Sequence, residues 1–182
     1  MKLYIMRHGP AVDNAPSGLD ADRDLTISGR DRVRSVARAL DADDELPANI
    51  VASPLARALQ TAEMVAGYAD AQGKVPHVTV RRELAPGGHL LSLVQELRGN
   101  RLRRVMLVGH EPDLTTLAGA LLGRSMERGF SKGMVLGLSL PDEPEAAGTA
   151  VAGSAKLRFV VDPKTFPPSK SGGGDRGSGP PT

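Results

Sequence analysis

Short apolar runs alternate with longer stretches of helical periodicity along this chain. "KLYIM", near the start, has aromatic and β-branched members and predicts a strand. "GPAVDNAPSGLDADRD" follows, rich in Gly, Pro, Asp and Asn, and reads as a loop. Thr26 or Ser28 is then placed to cap a helix whose apolar positions Val33, Val36, Ala37 and Leu40 show i, i+3, i+4, i+7 spacing. "ANIVAS" predicts a second strand. Ser53 and Pro54 stand where an N-cap and first helical residue are expected, ahead of Leu55, Ala58, Leu59, Ala62, Val65 and Ala66 on one side of a helix. "HVTVRREL" reads as a third strand and "PGGH" as a turn. "LLSLVQELRG" reads as a helix with Gly99 as its C-cap. "RRVMLVGH" is apolar throughout its middle, as buried parallel strands are. "EPDLTTLAGALLG" restarts a helix with Pro112 near its first turn, and "GMVLGLSL" and "SAKLRFVV" predict two last strands, joined by the polar "PDEPEAAGTAVAG".

Strand alternating with helix predicts an α/β fold around a mainly parallel sheet flanked by helices. Residues 1–162 form the expected domain. Residues 163–182, "PKTFPPSKSGGGDRGSGPPT", are rich in Pro, Gly and Ser and are expected to be a disordered tail. A length of 182 residues suits one compact core. With aromatics at 3% and no Trp, that core has to come from Leu, Val, Ala and Ile. No apolar run approaches the roughly 20 residues of a membrane span, and the opening apolar stretch is too short for a secretory signal. A cytoplasmic, monomeric protein is expected. The absence of cysteine excludes disulfides, thiolate metal sites and a Cys nucleophile. A net charge of +2, arginines spaced singly along helices and few aromatics argue against a nucleic-acid partner.

Candidate chemistry collects at the strand ends. Ligands of open α/β sheets bind at the carboxyl ends of strands. "MRHG" ends the first strand, "SPLARALQT" follows the second and "VGHEP" ends the fourth, so Arg7, His8, Arg57 and His110 converge on one edge. Each of these residues taken singly is ordinary surface polarity or a structural histidine. Together, two guanidinium forks suit a phosphate or carboxylate, and two imidazoles supply a nucleophile and a hydrogen-bond donor. A phosphoryl group attacked by an imidazole nitrogen uses every member of the set.

"RHG", "SPLARALQTAE" and "VGHEP", in that order and with "DLTISG" before the first helix, resemble the histidine phosphatase superfamily, and within it the small SixA-type phosphohistidine phosphatases. The resemblance runs from about Lys2 to Phe159. It implies a phosphoglycerate mutase-like three-layer sandwich without a cap domain, since only about forty residues separate Tyr68 from His110. It also implies a covalent phosphohistidine on His8, with Arg7, Arg57 and His110 holding the phosphoryl oxygens, and no metal or cofactor. Arg23 and Thr26 match positions that order the loop beside the site. Glu83 is a candidate general acid or, alternatively, a partner of Arg81 or Arg82. His89 stands where the family carries Asp, and is expected either to face the site or to lie on the turn. Glu111 is expected to cap the following helix or bond an arginine. Pro10 replaces the acidic residue usual after "RHG".

The expected reaction is removal of phosphoryl groups, with a phosphohistidine-bearing protein as substrate and no membrane or nucleic acid involved. Two alternatives stand beside it: a phosphomonoesterase acting on a small phosphate ester through the same site, and a non-catalytic phosphoprotein-binding module. A metal hydrolase fits less well, because two arginines repel a cation and no carboxylate accompanies the histidines.

Overall fold

The computed structural model describes residues 1–141 and 152–165. Six strands form one sheet: β1 (Lys2–Arg7), β2 (Asn49–Ala52), β3 (His77–Val80), β4 (Arg104–Gly109), β5 (Val135–Ser139) and β6 (Lys156–Val161). Their order is β3-β2-β4-β1-β5-β6. The first four are mutually parallel, β5 runs antiparallel to β1, and β6 antiparallel to β5. The helices are α1 (Ile27–Ala42), α2 (Ala56–Ala71), α3 (Leu90–Gly99) and α4 (Asp113–Leu122).

The alternation of side chains along the central strands builds two cores. Leu3 and Ile5 of β1 join Val105 and Leu107 of β4 beneath α3 and α4. Tyr4, Met6, Met106 and Val108 point the other way, onto α1 and α2. A central sheet with helices on both faces is the three-layer α/β sandwich that the resemblance implies, and among the described residues no cap domain is present. Val33, Val36, Ala37 and Leu40 of α1 are all buried; fully burying each Val or Leu contributes about 1.5–3 kcal/mol. The far end of the sheet is tied by buried Glu45, which accepts from Lys2, from Tyr4 Oη at 2.7 Å and from Arg158 of the edge strand. The expected tail lies almost wholly outside the described residues, as does most of the β5–β6 connection.

Three local expectations change. Helix α2 starts at Ala56 with Leu55 as its N-cap, not at Ser53 and Pro54. Ser53 still belongs to the sheet: its amide donates to Val108 O at 3.0 Å, and the first helical carbonyl is that of Leu55, which accepts from Leu59 N at 3.1 Å. Helix α3 includes Gly99 and ends at Asn100, and the left-handed residue beyond it is Arg101. The third strand stops at Val80, because the chain enters a 3-10 turn at Arg82–Leu84 that buries Leu84 under β4. Thr26 is the N-cap of α1, its hydroxyl accepting from Gly29 N at 2.9 Å, and Pro112 occupies the N-cap of α4.

The "RHGP" loop is seated on the first turn of α1. Thr26 N donates to Pro10 O at 3.0 Å, and a Cβ at Gly29 would stand 2.0 Å from that same oxygen. Only glycine lets the loop approach this closely. Gly29→Ala should therefore cost about 1–3 kcal/mol in urea unfolding and lower phosphatase activity; unchanged stability with full activity would show that the loop does not need this contact.

Candidate active site

The carboxyl ends of β2, β4 and β1 lie side by side, with Ala52 opposite Val108 and Arg7 opposite Gly109. The residues that follow them, Ser53, His110 and His8, are thereby carried to one place. His8 N continues the ladder to Gly109 O at 3.2 Å, so the chain leaves β1 in a fixed direction. The His8 and His110 rings stand 5.1 Å apart between centroids, tilted by 51°.

Both rings are buried. His8 Nδ1 lies 2.7 Å from Gly9 O. A carbonyl only accepts, so Nδ1 carries the proton and Nε2 holds a free lone pair. Burial drives the His8 pKa down; the Gly9 bond partly offsets this, and His110, Arg57 and Arg7 depress it further, to about 3. Burial and the charges of Arg57 and Arg7 likewise lower His110, with Asp20 and Asp113 opposing, to about 4. Two neutral imidazoles thus face two permanent cations at neutral pH.

Arg7 donates through Nη1 to Phe130 O at 2.6 Å, and Arg57 is gripped by the 3-10 turn at Asp20–Asp22, through Nη1 to Asp20 O at 2.7 Å and Nη2 to Asp20 Oδ2 at 3.0 Å. The buried Nε atoms of Arg7 and Arg57 and Nδ1 of His110 have no hydrogen-bond partner among the described residues. Arg7 and Arg57, whose charges both act on His8, each keep an unpaired Nε–H, which together with the free Nε2 lone pair suits a tetrahedral oxyanion.

The turn after β2 and the first turns of α2 explain why "SPLARALQT" has its spacing. Ser53 Oγ reaches His110 Nε2 at 2.8 Å. Arg57 meets Asp20. Gln60 Oε1 accepts from Leu25 N at 2.8 Å and its amide donates to Asp24. Thr61 Oγ1 accepts from Gly9 N at 3.1 Å while donating to Arg57 O at 2.7 Å. One helix start therefore fixes His110 and the loop that follows His8. Sequence reasoning missed Ser53, Thr61 and Asp20 as site residues. Thr61 was findable, since it lies four positions after Arg57 and so on the same helix face. Asp20 sits in a loop that leaves no periodic signal.

The remaining expected residues go elsewhere. Arg23 donates to Asp20 Oδ1 at 2.8 Å and to Val12 O at 3.1 Å, so it shapes the loop that holds Arg57. Glu83 pairs with Arg81, which also grips Glu96, and that hydrogen bonding holds the Glu83 carboxyl below its ordinary range. His89 is exposed at the start of α3 and makes no capping bond. Glu111 does not cap α4; its Oε2 accepts from Thr115 Oγ1 at 2.5 Å, and its charge acts on Arg7. Among the described residues, no three His, Asp or Glu side chains gather in a set that could hold a metal ion, and no helix is long and apolar enough to cross a membrane.

Comparison with known proteins gives the family. The histidine phosphatase superfamily (branch 1) matches residues 3–85. Phosphohistidine phosphatase SixA of Escherichia coli is 32% identical over 115 residues, spanning 62% of this chain and 68% of that protein. The chain belongs to the histidine phosphatase superfamily. An uncharacterized protein of Picosynechococcus sp. is 40% identical over 124 residues, covering 66% of this chain and 73% of that one. The solved structure of the protein histidine phosphatase SixA complexed with tungstate superposes with a TM-score of 0.75 at 25% identity, covering 90% of this chain and 98% of that chain. The reaction class of this superfamily member is phosphatase, and its substrates are phosphorylated.

The depressed histidines have a measurable consequence. Unfolded imidazoles take up protons below about 6.5, whereas folded His8 and His110 do so only near 3 and 4. The unfolded state then binds more protons, so stability is lost as pH falls through this window and is recovered above it. NMR of the histidine side chains should show His8 and His110 neutral from pH 8 to pH 5; titration of either near 6.5 would contradict the burial argument.

Proposed function

We propose that this phosphatase removes phosphoryl groups from phosphohistidine on proteins, through a covalent phosphohistidine at Nε2 of His8. The observation that carries this reading is the state of His8: its Nδ1 proton is committed to Gly9 O and its burial among cations keeps Nε2 unprotonated.

In the first step the Nε2 lone pair forms a bond to phosphorus. The bond from phosphorus to the leaving nitrogen breaks, and its electron pair departs with the leaving ring. Arg7, Arg57 and His110 stabilise the charge on the three transferring oxygens. In the second step water attacks phosphorus, the P–Nε2 bond breaks, its electrons return to His8, and the proton lost by water leaves with inorganic phosphate. No metal or cofactor takes part in either step.

Phosphohistidine is favoured as substrate by what the leaving group needs. An alkoxide has to be protonated as it leaves. Here Glu83 is held as the carboxylate by Arg81, and Arg57 likewise lowers the pKa of Asp20, so neither stores a proton. A phosphorylated imidazole that carries a proton on its other nitrogen leaves as neutral imidazole without an acid. The connection from α2 to β4 holds only β3, the 3-10 turn and α3, so no lid from this segment covers the site against a protein side chain. The similarity to SixA supports the same substrate class.

Kinetics with a phosphohistidine-bearing protein domain, para-nitrophenyl phosphate and a panel of sugar phosphates test the assignment. The protein substrate should win in kcat/KM by about 100-fold or more, and Arg57→Ala should lower its turnover roughly 10²- to 10³-fold. A small ester turned over as well as the protein would move the assignment to a phosphomonoesterase.

A further inference from the structure

Ser53 lies at the end of β2, fully buried, and the phosphoryl chemistry above gives it no role. Its hydroxyl has two partners. It accepts a long bond from Leu55 N at 3.4 Å, and it stands 2.8 Å from Nε2 of His110. A hydroxyl has one proton to give. Among the described residues the acceptor within reach of that proton is His110 Nε2.

The other nitrogen of His110 is the telling atom. Nδ1 is buried and has no partner, and the nearby charges acting on the ring include Arg57 and Arg7. A neutral imidazole has two tautomers. With the proton on Nε2, the ring would donate to Ser53, the Ser53 proton would have no acceptor, and Nδ1 would present a lone pair to an incoming oxyanion. With the proton on Nδ1, the Ser53 hydroxyl donates to Nε2 and the N–H stays free to donate. The first arrangement leaves both the Ser53 proton and Nδ1 unpaired, whereas the second leaves only the Nδ1 proton open.

We infer that Ser53 is a positioning residue that holds His110 in the Nδ1–H tautomer, so that the ring offers a hydrogen-bond donor to the transferring phosphoryl oxygens. The role is the counterpart of Gly9 on the other ring. Gly9 O fixes a proton on Nδ1 of His8 and frees a lone pair for attack; Ser53 Oγ donates to Nε2 of His110 and frees a proton for binding. Two rings of the same chemistry are set to opposite tasks by the partner each is given. The tautomer follows from the hydrogen bonds alone, while its catalytic consequence rests on the reading of the site as a phosphoryl-transfer centre.

Nitrogen-15 NMR of histidine-labelled protein at neutral pH, alone and with inorganic phosphate, reads the tautomers directly. His110 should show a protonated Nδ1 and an unprotonated, pyridine-type Nε2. In Ser53→Ala the two nitrogens should move toward an averaged signal while the His8 pattern stays unchanged. Turnover should fall roughly 10-fold or more, chiefly in kcat, with the phosphoryl group still carried by His8. A wild-type spectrum with the proton on Nε2 of His110 would overturn the inference, as would a Ser53→Ala protein with the wild-type tautomer and rate. Should Ser53→Ala fail to fold, the wild-type spectrum decides alone. Inactivity of the wild type toward phosphohistidine would count against the substrate assignment and leave the tautomer result standing.

Discussion

Everything in this site depends on keeping an imidazole unprotonated while two guanidinium groups stand beside it. Under the proposed mechanism, the positive field that attracts a phosphoryl group would be of little use if the nucleophile were itself a cation. Burial resolves the conflict, because removing His8 from water disfavours its charged form, and Arg7, Arg57 and His110 push in the same direction. In the proposed mechanism, the charges suited to binding the substrate also keep the nucleophile available. The Gly9 carbonyl adds direction, turning Nε2 outward by occupying Nδ1.

The fold supplies this arrangement through one local economy. Three adjacent strand ends deliver His8, Ser53 and His110, and the helix that starts just after Ser53 brings Arg57, Gln60 and Thr61. Thr61 joins the backbone of Arg57 to the amide of Gly9, so the arginine and the nucleophile loop cannot shift independently. Asp20 then closes on Arg57 from the solvent side, its side chain 64% exposed. Asp20 takes the Nη atoms of Arg57 while its Nε stays without a partner among the described residues, so the guanidinium is held in place before an anion arrives.

How much of this could be read from the residues alone follows from what periodicity records. The strands, the buried face of α1 and the placing of Arg7, His8, Arg57 and His110 at one edge were legible, because each follows from alternating or helical spacing and from the rule that strand ends carry sites. Ser53 was misread as a helix cap, since Ser before Pro normally signals one; here its amide is still spent on the sheet and its hydroxyl on His110. For Glu83 and His89 the residues left two outcomes open, and the structure takes the second of each: Arg81 claims Glu83, and His89 lies exposed at the start of α3. The Pro10 carbonyl accepts from Thr26 N, so the loop after His8 is anchored to the start of α1 through backbone.

The central claim is that the phosphoryl group passes through His8, and it is tested most directly by quenching the enzyme during turnover of a phosphohistidine protein and locating the phosphate by tandem mass spectrometry. The account predicts one acid-labile, base-stable phosphoryl group on His8, absent from a folded His8→Asn variant that no longer turns over. A phosphoryl group on any other residue, or sustained turnover by His8→Asn, would contradict it.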